Sequence, residues 1–548
     1  MQRMFSTHSV RRSVEIDGLW DFEADGKKTV MPVPACWETH PEFRNYRGKA
    51  LYTKQVNLPA GNLLLTFKGV SHTATVFVDD TEVGQHYNAY TPFTLLVPNV
   101  SAGTHIVKVE VDNSFNEESA LHIPNDYFTY GGIIRPVIEE SVGDTYIERL
   151  ECTPDIQEGS CKLKVRAYLT AVSEAVKKIK LAFTLNNRRY DFPETDVHEN
   201  VVLEKEFDVD GVEPWSADSP TLYLVNAVLS RDGVIIDDLV ERIAFRTVEI
   251  CGREILVNGK PVFLQGFCRH EDHPLFGAAI PFQAQMYDLQ LLRDLGSNIV
   301  RTTHYPNDEL FLDLCDELGI YVWEESHARG HNEVQMKHPN FDKQSEDCIR
   351  EMVRCHYNHP SIIIWGVLNE CASYSDYGTA CYEKQIAQIR SMDSSQPVTY
   401  ASCHFMNDKC MHLADIVSYN IYSGWYEKRD TTEFLNSLVA WTDENGGVGK
   451  PYIISEFGAG GIYGFRDTRH VKWSEERQAE IIDENLTVYC HHEVVRGVII
   501  WQFCDGLVAD DNFYGRPKTR NNKGIVDEFR RPKLAYDVVK KHFVRAAK

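Results

Sequence analysis

At 548 residues the chain is too long for one ordinary domain, and three or four units are expected from length alone. Its net charge of −23, from 57 Lys+Arg against 80 Asp+Glu, argues against nucleic acid or an anionic membrane as a partner, so an anionic ligand would need a local cationic exception. The N-terminus has no apolar leader and no apolar run reaches the ~18 residues of a membrane span, while the 14 Cys are scattered without a CxxC pair, as in a protein kept reduced in the cytoplasm.

From Ile16 to Ile138 the pattern is short and period-two. Val107, Val109 and Val111 alternate with charged residues, and Leu63–Phe67 and Ala74–Val78 read as further strands bounded by Gly and Asp turns. No helical pattern interrupts them, which predicts a jelly-roll β-sandwich over residues 1–142. A second all-β unit, 143–247, alternates Leu163, Val165, Ala167 and Leu169 with polar neighbours and places Asp232-Gly233 between two apolar runs, as a hairpin turn would. About one hundred residues and seven short strands suit an immunoglobulin-like sandwich.

Beyond Gly259-Lys260 the rhythm becomes strand, helix, strand, helix. Candidate strands are Val262–Gly266, Asn298–Thr302, Tyr321–Glu325, Ile362–Asn369, Val398–Ser402, Ile416–Asn420, Tyr452–Glu456 and Gly497–Phe503, with helical patterns such as Asn307–Leu318 and Glu475–His491 between most of them. Near-continuous apolar strands alternating with helices argue a parallel sheet covered on both faces, and eight of them predict a C-terminal (β/α)8 TIM barrel over 248–548. Active sites of such barrels lie at the C-terminal ends of the strands.

Two of those ends carry carboxylic acids. Ile362–Ser373 is an apolar run that stops at Asn369-Glu370, and Tyr452–Gly458 stops at Glu456 before a Gly-rich turn. A lone Asn-Glu more often caps the next helix; two strand-end acids make a pair. Paired carboxylates across a cleft can cleave a glycosidic bond, one protonating the leaving oxygen while the other meets the positive charge developing at the anomeric carbon. The two roles need different charge states at one pH, so Glu370 is expected protonated and Glu456 ionised. The 9 Trp, 26 Tyr and 26 Phe are numerous enough to line a pocket for a ring-shaped ligand such as a sugar.

Asn369-Glu370 after strand four, Glu456 after strand seven and Arg301-Thr302-Thr303-His304-Tyr305-Pro306 after strand two resemble the retaining hydrolases of glycoside hydrolase family 2. The order of sandwich, immunoglobulin-like unit and barrel resembles that family over nearly the whole chain. The resemblance implies Glu370 as acid/base, Glu456 as nucleophile and Asn369 on the sugar 2-hydroxyl. Asn521-x-Lys523-Gly524, after Trp501-Gln502-Phe503, resembles the motif with which the family's β-glucuronidases grip the C6 carboxylate. Physically, an ammonium supplies charge there and an amide a directed hydrogen bond. Asn125–Arg135 resembles a first-domain loop that sends an acid, here Asp126, to a sugar hydroxyl, and Tyr419–Tyr426 resembles a segment whose tyrosines, here Tyr422 and Tyr426, line the glycone pocket. Trp501 and His304 complete the substrate-binding set. Arg269-His270-Glu271-Asp272 is read as hydrogen-bond support around the two glutamates rather than as a cation site.

The expectation is therefore a retaining β-glucuronidase acting on a small-molecule or oligosaccharide β-glucuronide, without cofactor, metal, nucleic acid or membrane, and assembled as a homo-oligomer (dimer or tetramer). A β-galacturonidase, differing at C4 where Asp126 should discriminate, and a β-galactosidase, which has no use for Lys523, are the alternatives within the family. A catalytically inactive carbohydrate-binding protein is the alternative outside it.

Overall fold

The structure is a computed structural model that describes residues 3–157, 160–173, 177–509, 513 and 515–546. The N-terminal sandwich pairs two antiparallel sheets. One orders Ser13–Glu15, Val137–Val142, Gly61–Phe67 and Phe93–Val100; the other orders Lys27–Val33, Gly18–Ala24, Lys49–Leu58, Gly103–Asp112, Thr73–Val78 and Thr81–Tyr87. Val107, Val109 and Val111 are buried between them, as the alternation predicts. At about 1.5–3 kcal/mol for each fully buried aliphatic side chain, such rows supply most of the drive for the two sheets to pack.

The second sandwich sets Thr145–Gln157, Ser160–Ala171 and Val201–Asp208 against a sheet built on Lys177–Leu185, Tyr223–Arg231 and Val234–Ile243. Leu163, Val165, Ala167 and Leu169 are buried in its core. Asp232 and Gly233, at φ 52° and 81°, make the predicted hairpin turn, whose left-handed backbone suits Asp and Gly.

The parallel sheet of the third unit runs through Val398–Thr399, Ile362–Gly366, Tyr321–Glu325, Ile299–Thr302, Leu264–Arg269, Val495–Ile500, Tyr452–Phe457, Val417–Asn420 and Ala401–Ser402. Its two ends are halves of one interrupted strand. Val398–Thr399 pairs with the fourth strand and Ala401–Ser402 with the sixth, so the eight-stranded barrel closes at Tyr400. Helices follow seven strands; after the fifth there is only a short turn, Phe405–Asn407. Asp308 caps Glu309–Leu318 by accepting from the Leu310 N–H, and Ser474 caps Glu475–Tyr489.

The predicted strand boundaries shift where an apolar run outlasts its ladder. The fourth strand ends at Gly366 rather than Asn369, because Leu368 and Glu370 turn to φ 48° and 52°. The first strand starts later than predicted and the eighth earlier. The extreme N-terminal residues leave the first sandwich: Arg3 pairs with Asp313 of a barrel helix at 2.9 Å, and Arg11 with Asp237 of the second sandwich at 2.7 Å.

Candidate active site

Glu370 sits on the kink after the fourth strand, its N–H donating to Ala401 O across the barrel rim at 2.9 Å. Its carboxylate accepts from Asn420 Nδ2 at 2.9 Å and lies 3.3 Å from an Arg329 guanidinium nitrogen. Glu456 is carried within the seventh strand and is 2 % exposed. It accepts from Arg301 Nη1 at 2.9 Å and from the Tyr422 hydroxyl at 2.8 Å.

Both acids line one cavity of about 230 Å³, together with Asp126, Arg329, Tyr422, Tyr426, Trp501, Arg516 and Lys523. Carboxylates distant along the chain thus share one cavity with an ammonium group. Arg329, Arg516 and Lys523 are also the local cationic exception that an anionic ligand requires in a chain of net charge −23.

The buried Arg301 guanidinium organises the floor. Besides Glu456 it donates to Asn369 Oδ1 at 2.7 Å, and Nε and Nη2 reach Glu325 Oε2 at 2.9 and 2.7 Å. With its oxygen so held, the Asn369 amide presents an Nδ2 that has no protein partner and is free to donate. His304 Nδ1 lies 2.8 Å from Glu325 Oε1, and its ring stacks on Trp501 at 5.1 Å. Burial, reinforced by Arg301, holds His304 well below the ordinary histidine range, so the ring is neutral.

Lys523, in the same cavity, is 1 % exposed, its ammonium 5.2 Å from the Tyr426 ring centre and 5.6 Å from that of Tyr422. Burial lowers its pKa, with the Tyr426 hydroxyl opposing. Desolvation would push the Tyr426 phenol up, yet Lys523 and Arg516 outweigh it and hold the phenol below its usual range. Tyr426 itself stands at the rim, 57 % exposed. Asn521 Nδ2 donates to Asp126 Oδ2 at 3.1 Å, and Asp126 also pairs with Arg516, whose Nε donates at 3.0 Å. The first sandwich therefore delivers Asp126 to the barrel mouth, as its loop suggested.

One expectation needs correction. Arg269, His270, Glu271 and Asp272 do not support the glutamates: Arg269 donates to Asp288, Tyr305 OH meets His270 Nδ1, Glu271 takes Arg135, and Asp272 accepts from Tyr130 OH. Their bonds run within the barrel, from Arg269 and His270, and to the first sandwich, from Glu271 and Asp272. Glu456 is harder to ionise than a free carboxyl. Burial first, then the facing Glu370 carboxylate, push it up to about 7 against Arg301 and Tyr422.

Arg329, Arg516, Asn420 and Glu325 were not singled out from the sequence. Arg329 lies in the short segment after the third strand and Arg516 ahead of Asn521-x-Lys523, positions where an arginine carries no periodic signal. Among the described residues, Asp313, Asp316 and His359 are close enough to share a metal ion, but they lie outside the cavity lining, and Arg3 and Arg242 already meet Asp313.

The barrel, 248–547, matches the model of the glycosyl hydrolases family 2 TIM barrel domain; 145–246 matches the glycosyl hydrolases family 2 model and 9–140 the family's sugar binding domain. The chain belongs to glycoside hydrolase family 2. It is a glycoside hydrolase built as the family is, from sandwich to barrel. The β-glucuronidase of Homo sapiens is 26% identical, covering 98% of this chain and 91% of that protein. That of Streptococcus agalactiae is 25% identical, over 97% and 96%. Among solved structures, a family 2 β-galacturonidase from Eisenbergiella tayi bound to galacturonate superposes with a TM-score of 0.97 at 46% identity, covering 100% of this chain and 99% of that one. A β-D-glucuronidase of Dictyoglomus thermophilum superposes at 0.85 with 26% identity, over 100% and 98%.

Proposed function

We propose that this hydrolase cleaves β-D-glucuronides with retention of configuration. Glu370 protonates the glycosidic oxygen as the bond to the leaving group breaks, and Glu456 closes on the anomeric carbon to form a glycosyl ester. Esterification removes the Glu456 charge, so Glu370 becomes more acidic, takes the proton of an incoming water, and the hydroxide oxygen displaces Glu456. Asn369 Nδ2 donates to the 2-hydroxyl, and Lys523 with Asn521 holds the C6 carboxylate. Asp126, Tyr422, Tyr426, Trp501 and His304 enclose the ring. The observation that carries this reading is that Glu370, Glu456 and Lys523 line a single cavity.

A second reading, hydrolysis of β-D-galacturonides, is favoured by the 46% identity to the E. tayi enzyme against 26% to the human one. The two sugars differ only at C4, where Asp126, oriented by Arg516 and Asn521, would discriminate. We further place the protein in the cytoplasm as a homo-oligomer: its 14 cysteines are all free, and the second sandwich exposes Val234 and Ile235 at a hairpin. No described helix is long and apolar enough to cross a membrane.

Aryl β-glucuronide, β-galacturonide and β-galactoside, assayed side by side, separate these readings, and turnover of none would indicate an inactive binding protein. Lys523→Ala should lower kcat/KM on the preferred uronide by about 10–100-fold more than on the galactoside, the worth of a hydrogen bond to a charged group. Equal losses on both would remove Lys523 from acid recognition.

A further inference from the structure

One buried carboxylate has no part in the reaction as described. Glu325, at the end of the third barrel strand, is 0% exposed and does not line the cavity. We propose that Glu325 is a positioning residue that sets how the nucleophile Glu456 holds its proton, acting through Arg301 and His304.

The geometry of Arg301 is the reason. Its guanidinium is sealed from solvent and shared between two carboxylates on opposite sides: Nε and Nη2 donate to Glu325 Oε2, while Nη1 donates to Glu456 Oε1 at 2.9 Å and to Ser455 O at 3.2 Å. One positive charge therefore answers two negative ones, in surroundings that screen little. Glu325 also reaches His304 with its other oxygen, which fixes the ring so that Nε2, without a protein partner, stands 4.0 Å from Glu456 Oε1.

Several charged or titratable groups bear on these two acids. Glu456 is faced by Glu370 from the fourth-strand kink, Arg301 and His304 from the second strand and the turn after it, Tyr422 from the sixth, and Arg329 from the third-strand segment; Glu325 is faced by Arg301, His304 and Glu370. Burial pushes Glu325, like Glu456, up to about 7, with Arg301 opposing in both cases. Without the Glu325 charge, Arg301 would act on Glu456 alone and favour its carboxylate form. The nucleophile would then ionise at lower pH and be less basic at the moment of attack.

The inference depends on Glu456 as nucleophile but not on which sugar is cleaved. A 2-deoxy-2-fluoro glycosyl fluoride of the preferred sugar, followed by peptide mass mapping, tests that assignment separately. If the label falls elsewhere, the mechanism above is wrong. If it falls on Glu456, the inference is tested on its own by Glu325→Gln, which removes the charge while its one amide oxygen can still accept from Arg301 and its NH2 can donate to a deprotonated His304 Nδ1. With an aryl substrate whose leaving group needs no protonation, the acid limb of kcat/KM should move down by about one pH unit. A folded Gln variant whose limb stays in place or moves up overturns the proposal.

Glu325→Asp gives an independent check and carries the test should the Gln variant not fold. The charge stays, so the limb should remain within about 0.3 unit of the parent, while kcat falls as the shortened side chain releases His304. A limb that moves by a full unit with the charge in place overturns the proposal equally.

Discussion

Glu456 works against its surroundings: burial and a second carboxylate oppose its charge, while Arg301, Tyr422 and Arg329 favour it. Since a nucleophile must be ionised and its pKa is raised to about 7, the ionised fraction grows as pH rises through neutrality. We expect kcat/KM to fall on the acid side with an apparent pKa near that value, and pH–rate profiles check it. A profile flat down to about pH 5 would show that the raised value does not govern the nucleophile. At this scale the sequence was most legible where a motif names an atom's task. Glu370 and Glu456 were read from strand ends and Asn369, Asp126, Asn521 and Lys523 from the family resemblance, and the cavity or its immediate wall holds all six. Arg329 and Arg516 were not, because a loop arginine looks the same whether it meets solvent or a catalytic acid.

Among the elements, the segment Asn521–Gly524 shows how a loop acquires precision from groups behind it. Buried Asp505 accepts the Gly524 N–H at 2.9 Å, and its partner Lys533 donates to Asp505 at 2.7 Å, to Gly461 O at 2.6 Å and to Asn522 O at 3.3 Å. Gly524 must be glycine, since a Cβ there would meet Asp505 N at 2.3 Å and Val526 O at 2.4 Å. Asp505→Asn should therefore loosen the seat of Lys523, raising KM for the uronide about tenfold while changing a neutral glycoside less. The two KM values, measured on one preparation, decide it; parallel changes would make Asp505 a general stability residue. Periodicity located this element after the eighth strand, but Asp505 and Lys533 are ordinary charged residues in the sequence until the fold buries both.

For the whole molecule, the first sandwich is part of the active site and not an appendage. Arg135 crosses the junction, donating to Glu271 Oε2 at 2.8 Å, to Tyr90 O at 2.7 Å and to Pro306 O at 3.0 Å, close to the loop that delivers Asp126. Arg135→Ala strands a buried carboxylate, a loss on the order of 3–5 kcal/mol. Denaturant unfolding should show that loss, accompanied by weaker uronide turnover as Asp126 loses its frame. Unchanged stability would mean that solvent or another cation replaces the guanidinium.

The sequence by itself determined the order of the three units, the alternation of buried and wet residues within the sandwiches, the eight barrel strands, and the two strand-end acids with the lysine that shares their cavity. These follow from local periodicity and from motifs short enough to be read in one stretch. Tertiary structure alone decided that Arg301 is shared between Glu325 and Glu456, that Glu271 and Asp272 bond across the domain junction, and that burial and Glu370 push Glu456 up to about 7. Each of those depends on burial and on charges brought together from distant strands, and neither quantity exists until the chain has closed.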